Sequence, residues 1–277
     1  MATFETVFAC KESNIGGAAP NFANTLGKEL SCWEFEGNPS HGAVPGGFAN
    51  PDRTTQGALP FTNPATGKQK WLHAMTVIGG FATSSPNTLV HLFDRLVHMG
   101  GLDGTIATAQ NVNGGSDAAV TRRYADPAGA LDVGNEIWLE IYTAVGTTPT
   151  TVTCSYKNES GASKTTQAVA FGGTGNRENA RLIRLPLAAG DRGVSAVVSV
   201  TLAGSTGTAG NFGIVVAHRL VSVIVDVGIG KTFVAAVEEP IEALSGACLF
   251  FALAHSQGQP DDVMQALPLT CLSFVEA

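Results

Sequence analysis

The sequence predicts a mainly β fold: a jelly-roll-like β-sandwich over residues 70–277, preceded by an extended, irregular N-terminal arm over residues 1–69. Three observations carry this expectation. Short segments of alternating apolar and polar residues recur from Lys70 onward, rich in Val, Ile, Thr and aromatics. Turn-forming Gly, Asn and Ser clusters separate them at the spacing of sandwiches and jelly rolls. No long alternation of strands with helical patterns occurs, which disfavours a doubly wound fold.

Residues 1–69 differ in texture from the rest. Stretches such as GNPSHGAVPGGFANPDRTTQGALPFTNPATG repeat Pro and Gly, which break ladders and helices alike. Trp33, Phe35, Phe48 and Phe61 are scattered through this region. A solvated linker seldom carries so many aromatics. They are therefore the candidate interface residues, expected to be buried against the chain's own domain or a neighbouring subunit.

WLHAMTVIGG (71–80) alternates partly and reads as a strand. NTLVHLFDRLVHMGG (87–101) fits two patterns. Leu89, Leu92, Phe93, Leu96 and Val97 make a helical stripe, yet the segment also alternates. The β character of everything after it favours a strand. NEIWLEIYTAVG (135–146) alternates Ile137, Leu139 and Ile141 with Trp138, Glu140 and Tyr142. TTVTCSYKNESGASKTTQAVAFGG follows as a hairpin about an Asn-Glu-Ser-Gly turn at 158–161. A strand around Leu182–Leu187 carries Pro186, which places it at an edge or a bulge. The next strand puts Val198, Val200 and Leu202 on one face. NFGIVVAHRLVSVIVDVG gives one long strand or two bent ones, and GACLFFALAHS (246–256) and LPLTCLSFVEA (267–277) close the chain. The helix candidate of note is VAAVEEPIEALS (234–245), broken by Pro240.

Composition narrows the function. Charged residues make up 14% of the chain, against roughly 25% in an average soluble protein. A surface poor in Lys and Glu suits subunit contacts. The net charge is −7, with no block of basic residues, so no nucleic-acid partner is expected. Arg177, Arg181 and Arg184 lie close in sequence and read as a strand edge or ion pairs. The N-terminus lacks the pattern of a signal peptide, and no apolar run approaches the ~20 residues needed to span a bilayer, so no membrane partner is expected. Cys10, Cys32, Cys154, Cys248 and Cys271 are odd in number and contain no C-x-x-C pair, which predicts free thiols made in a reducing compartment.

Chemical motifs are weak. VDVGIGKTF (225–233) resembles the end of a phosphate-binding loop, but Val225 stands where the required upstream Gly belongs. His41, His73, His91, His98, His218 and His255 show no metal-ligand spacing. Asp261-Asp262 and Glu238-Glu239 read as loop charges, adjacent and so divergent. No catalytic residue, cofactor site or metal site is predicted, and the chain is expected not to be an enzyme.

Several segments carry a resemblance. KQKWLHAM (68–75), FDRLVHMGGLDGTIATAQNVN (93–113), WLEIYTAVGTTPTTVTCSYKNESG (138–161), TTQAVAFGGTG (165–175) and RLIRLPLAAGDRGVSAVVSVTLAGSTGTAGNFGI (181–214) occur in this order. From Lys68 to about Leu220 the chain resembles virion structural proteins of tailed bacteriophages, in particular those that decorate or cement the head. The resemblance implies no catalytic residues. It implies a capsid decoration protein made in the bacterial host cytoplasm and mounted on the capsid exterior. Its partners would be the major capsid protein and further copies of itself, by analogy as a trimer. Small-residue loops such as LAGSTGTAGN (202–211) are expected to allow close approach between those copies. The alternatives are another virion part (tail, neck or fibre) or a carbohydrate-binding jelly roll. The latter would need exposed aromatics, and Trp71, Trp138 and Tyr142 are the candidates, all in strands that read as core.

Overall fold

The computed structural model describes residues 3–12, 28–78, 88–121, 123–126, 128–225, 232–242, 245–255 and 267–276. Among them there is no helix, and so none long and apolar enough to cross a membrane. In chain order the strands are β1 (Thr3–Glu12), β2 (Glu29–Ser31), β3 (Glu36–Asn38), β4 (Lys70–Ile78), β5 (Thr88–His98), β6 (Gln110–Asn111), β7 (Ala118–Ala119), β8 (Asn135–Thr143) and β9 (Thr150–Asn158). They continue with β10 (Ser163–Thr165), β11 (Val169–Phe171), β12 (Arg181–Leu185), β13 (Val194–Leu202), β14 (Asn211–Val225), β15 (Thr232–Glu242), β16 (Leu249–His255) and β17 (Leu267–Glu276). The chain is mainly β and its sheets are antiparallel, as a sandwich or jelly roll requires.

Two compact units divide the chain. The first comprises Met1–Ala43, Asp52–Asp94 and Leu220–Ala277, the second Val44–Pro51 and Arg95–Arg219. Neither boundary falls at residue 69/70, where the arm was expected to end. Thr3–Glu12 is no arm, because Val7, Ala9 and Lys11 alternate inward and make it a sheet strand between β17 and β3.

In the first unit five strands run in the order β15-β4-β17-β1-β3. Register fixes their inner rows: Glu5–Phe274–Leu72, Val7–Leu272–Met75 and Ala9–Thr270–Val77. Except for Glu5 these are buried. A second sheet joins β2, β16 and the Thr88–Asp94 part of β5. Phe61 stacks on Phe274 at 5.5 Å, while Leu59 N–H donates to Leu249 O at 2.9 Å, so one loop reaches both sheets.

The Gly/Pro-rich segment belongs to this core. Trp33 donates from Nε1 to Ala43 O, and its ring lies on Gly42, where a Cβ would come within 2.2 Å of it. Buried Lys11 donates from Nζ to the carbonyls of Phe35, Pro39 and Ser40. Burial lowers its pKa to about 8.

The expected helix over 234–245 is instead largely the edge strand β15. Pairing with β4 overrides local preference. Pro240 falls between the registered pairs Ala236↔Ala74 and Ile241↔Leu72, outside the ladder that its missing N–H would interrupt.

In the second unit β9 is flanked by β10, β11 and β13, and β13 also takes β6 and β7. A second sheet sets β8 between β12 and the Asn211–His218 part of β14. Phe171 packs on Phe212 at 4.7 Å and ties the two sheets together. Asn158 builds the expected hairpin turn: its Oδ1 accepts from Ser160 N, Ser160 Oγ and Ala162 N. β12 stops at Leu185, one residue before Pro186. In β13 a bulge between Val197 and Ser199 turns the strand, so Val197, not Val198, joins Val200 and Leu202 in the core.

Candidate assembly surface

The outer face of the five-stranded sheet follows from the same register. Its rows are Phe4–Val275–Trp71, Thr6–Ser273–Ala74 and Phe8–Cys271–Thr76. Phe4 is 74% exposed and Phe8 49%. Val275, Cys271, Trp71, Ala74 and Thr76 are half-buried. No charged side chain stands in these three rows, so an uncharged strip with two exposed phenylalanines crosses β1, β17 and β4. Glu5 and Lys70 sit on the inner side instead. Lys70, 3% exposed, reaches Glu5 Oε2 at 2.5 Å and Thr62 O at 2.7 Å. Burial raises the Glu5 pKa, but hydrogen bonds from Lys70 and Thr62 outweigh it and hold the carboxyl below its usual range.

Trp33, Phe35 and Phe61, the residues expected to be buried against the chain's own domain or a neighbour, are at most 1% exposed within the chain itself. They are core of the first unit and are not available to a second chain. Phe48 lies in the second unit and is half-buried. Sequence reasoning missed Phe4 and Phe8. The signal was the F-x-T-x-F alternation in TFETVFA, which lay in a region read as an arm.

The LAGSTGTAGN loop serves the chain's own packing. Thr206 is fully buried; its N–H donates to Gly104 O, its carbonyl accepts from Thr148 N, and its Oγ1 accepts from Gly146 N. A Cβ on Gly146 would lie 1.8 Å from Thr206 O. The small residues let backbone meet backbone inside the second unit.

Charged and polar side chains in the second unit pair with one another. Arg95 Nη2 pairs with Glu140 Oε2, and Tyr142 OH donates to the same oxygen at 2.8 Å. His98 is pushed down to about 3 by burial and the neighbouring Arg95. His218 stacks on Tyr124 at 3.8 Å and 7°, and burial lowers it to about 4. Asn135 Nδ2 donates to Val194 O, so its Oδ1 is an acceptor and the His218 proton sits on Nδ1, donating at 3.1 Å. Of the arginine trio, Arg181 is buried beside Glu178 and Arg184 pairs with Glu136 at 2.8 Å.

A cavity of about 280 Å³ beside β8 and β12 is lined by Glu136, Arg184, Asp191 and Arg192. Its charges already hold protein partners: Arg192 reaches Asp126 at 3.1 Å, and Asp191 accepts from Tyr156 and Asn158. Trp138 and Tyr142 are buried, and Trp71 lies in the sheet face, so no aromatic platform lines this cavity. Among the described residues no group of three His, Cys, Asp or Glu gathers as metal ligands would. Thr232 of the GIGKT segment begins β15; residues 228–231 lie outside the described residues, as do Asp261 and Asp262.

No family model matches the chain, and no curated protein matches it. Among solved structures it overlaps the VP2 subviral particle of infectious bursal disease virus, at 8% identity, 99% of this chain, 80% of that chain and a TM-score of 0.18. The Gt strain of the same virus gives 10% identity, 99% and 81% coverage, and a TM-score of 0.18. Overlaps this loose do not define a common fold.

Proposed function

We propose that this chain is a structural protein of a virus particle and acts by assembling with other protein surfaces. The observation that carries this reading is the uncharged strip of three rows across β1, β17 and β4, with Phe4 and Phe8 exposed on it. Water would be released from that face on contact, at about 25 cal/mol per Å² of apolar area before association costs. The low charge content and the segments resembling tailed-phage virion proteins support the same reading. In its finer form the chain is a decoration or cement protein on the head exterior. It would bind the major capsid protein and associate with its own copies, as a trimer by analogy, with no enzymatic step.

Sedimentation of the purified protein, alone and with capsids lacking it, tests both levels. A stable multimer or stoichiometric capsid binding is the expected result. A protein that stays monomeric at high concentration and ignores capsids would sink the proposal.

A further inference from the structure

We propose that the open edge of β1 pairs with the same edge of a second copy, antiparallel, across a twofold axis centred on Thr6. This rests on the assembly reading above and names one seam between copies; the seam is twofold and so is distinct from the threefold contacts of the trimer drawn by analogy.

One edge of β1 is covered by β17 from Thr3 to Ala9. The other is covered by β3 only at Cys10, Lys11 and Glu12. Among the described residues no strand pairs with that second edge over Thr3–Ala9. Asn38 Nδ2 donates to Phe8 O at 2.9 Å, so this carbonyl points away from β17 and toward the open side. By strand alternation the N–H and C=O of Phe4 and Thr6 point the same way. Phe8 O keeps its second lone pair for an incoming N–H.

Natural edge strands are usually blunted by proline, bulges or outward charges. Thr3–Ala9 has none of these. Its register with β17 is regular, and its one charge, Glu5, is turned to the inner side and held by Lys70. The segment is instead built to match itself. On its outer face Phe4 and Phe8 stand symmetrically about Thr6, two residues to either side. Pairing two copies antiparallel about Thr6 sets Phe4 against the partner's Phe8 and, by symmetry, Phe8 against the partner's Phe4. Thr6 then meets its own copy on the axis, and Thr3 meets Ala9. The register stops where Asn38 of β3 already occupies the position beside Cys10. Both aromatic pairs lie on the outer face, where cross-strand aromatic and Thr–Thr pairs stabilise a sheet. A second copy is thus the occupant that this self-matching row of side chains selects. The result is one continuous sheet with an isologous interface.

The test uses the full chain with Cys10→Ser and Cys271→Ser. Adding Thr6→Cys should give a disulfide-linked dimer on mild oxidation. Adding Thr3→Cys should not, since those two residues would stand roughly 20 Å apart at 3.3–3.4 Å per residue. Independently, Phe8→Lys in the natural background should weaken self-association about tenfold or more, because it sets a charge into both aromatic pairs. Cross-linking of Thr6→Cys alone, with weakened association of Phe8→Lys, supports the seam. Equal cross-linking of both cysteine variants overturns the register. If the natural protein sediments as a multimer while Thr6→Cys does not cross-link and Phe8→Lys associates normally, the seam falls and the assembly reading stands. A natural protein that is monomeric and ignores capsids ends both.

Discussion

Arg95 and Glu140 form an ion pair whose side chains are 0% and 1% exposed, with the Tyr142 hydroxyl closing the triangle. Removing one charge leaves the other buried without its partner. Glu140→Gln should therefore cost about 3–5 kcal/mol in urea unfolding. The double variant Arg95→Met with Glu140→Leu should recover much of that loss. A single-variant loss under about 1 kcal/mol, the ordinary worth of an exposed pair, would refute the reading.

His218 links stability to pH. Its folded pKa, about 4, lies below the unfolded value of 6.5 because burial disfavours the charged ring. A base with a depressed folded pKa takes up protons first in the unfolded chain. Its contribution is complete above pH 6.5 and is lost as the pH falls toward 4. His98, at about 3, acts in the same sense. Glu5, Asp126 and Asp191, all held low, add losses at still lower pH. Stability should fall by a few kcal/mol between pH 7 and 4, at about 1.4 kcal/mol per pKa unit. His218→Gln should flatten that fall; an unchanged slope would exclude His218 as a source.

The Thr206 contact separates two glycines. Gly146→Ala drives a Cβ into the Thr206 carbonyl at 1.8 Å, backbone against backbone, and should destabilise by about 1–3 kcal/mol or more. Gly204→Ala meets only Thr150 Oγ1, at 3.6 Å, and should leave the melting temperature nearly unchanged. Similar melting temperatures for the two variants would show that the loop yields.

Thiol labelling probes burial directly. Cys10 is exposed and Cys271 half-buried, while Cys32, Cys154 and Cys248 are buried. Burial pushes the Cys32 thiol up to about 12 and raises Cys154 as well. A maleimide at pH 8 should modify Cys10 first, then Cys271 slowly, and the other three only in denaturant. Early reaction at Cys154 would contradict the packing of β9.

What could be read from the sequence depended on whether neighbours were local. The Asn158 turn was legible because Ser160 and Ala162 supply its partners within four residues. The run 88–98 matched helix and strand equally because its residues are almost all buried, which erases the in-out contrast. β1 and β15 were missed for the opposite reason: β17 and β4, which make them strands, lie far away in sequence. Of the two kinds of burial expected for the aromatics of residues 1–69, the chain's own unit is the one found for Trp33, Phe35 and Phe61. Composition marked Trp33, Phe35 and Phe61 as buried against something, but only register could show that they fill their own unit and that Phe4 and Phe8 do not.

The two units also differ in how they can be born on a ribosome. All but a short piece of the second, Val44–Pro51, is one continuous stretch, Arg95–Arg219. It can close while the rest is still being translated. The first unit must wait for Leu220–Ala277, and β1 finds β17 only when that strand, more than 250 residues downstream, leaves the exit tunnel. Until then the Thr3–Ala9 part of β1 travels without its β17 partner and with its two phenylalanines in water. At synthesis rates of roughly 5–20 residues per second that interval lasts many seconds. On a crowded polysome, neighbouring nascent chains carry the same strand in the same state, so the segment that we assign to pairing between finished copies is also where unfinished ones can stick.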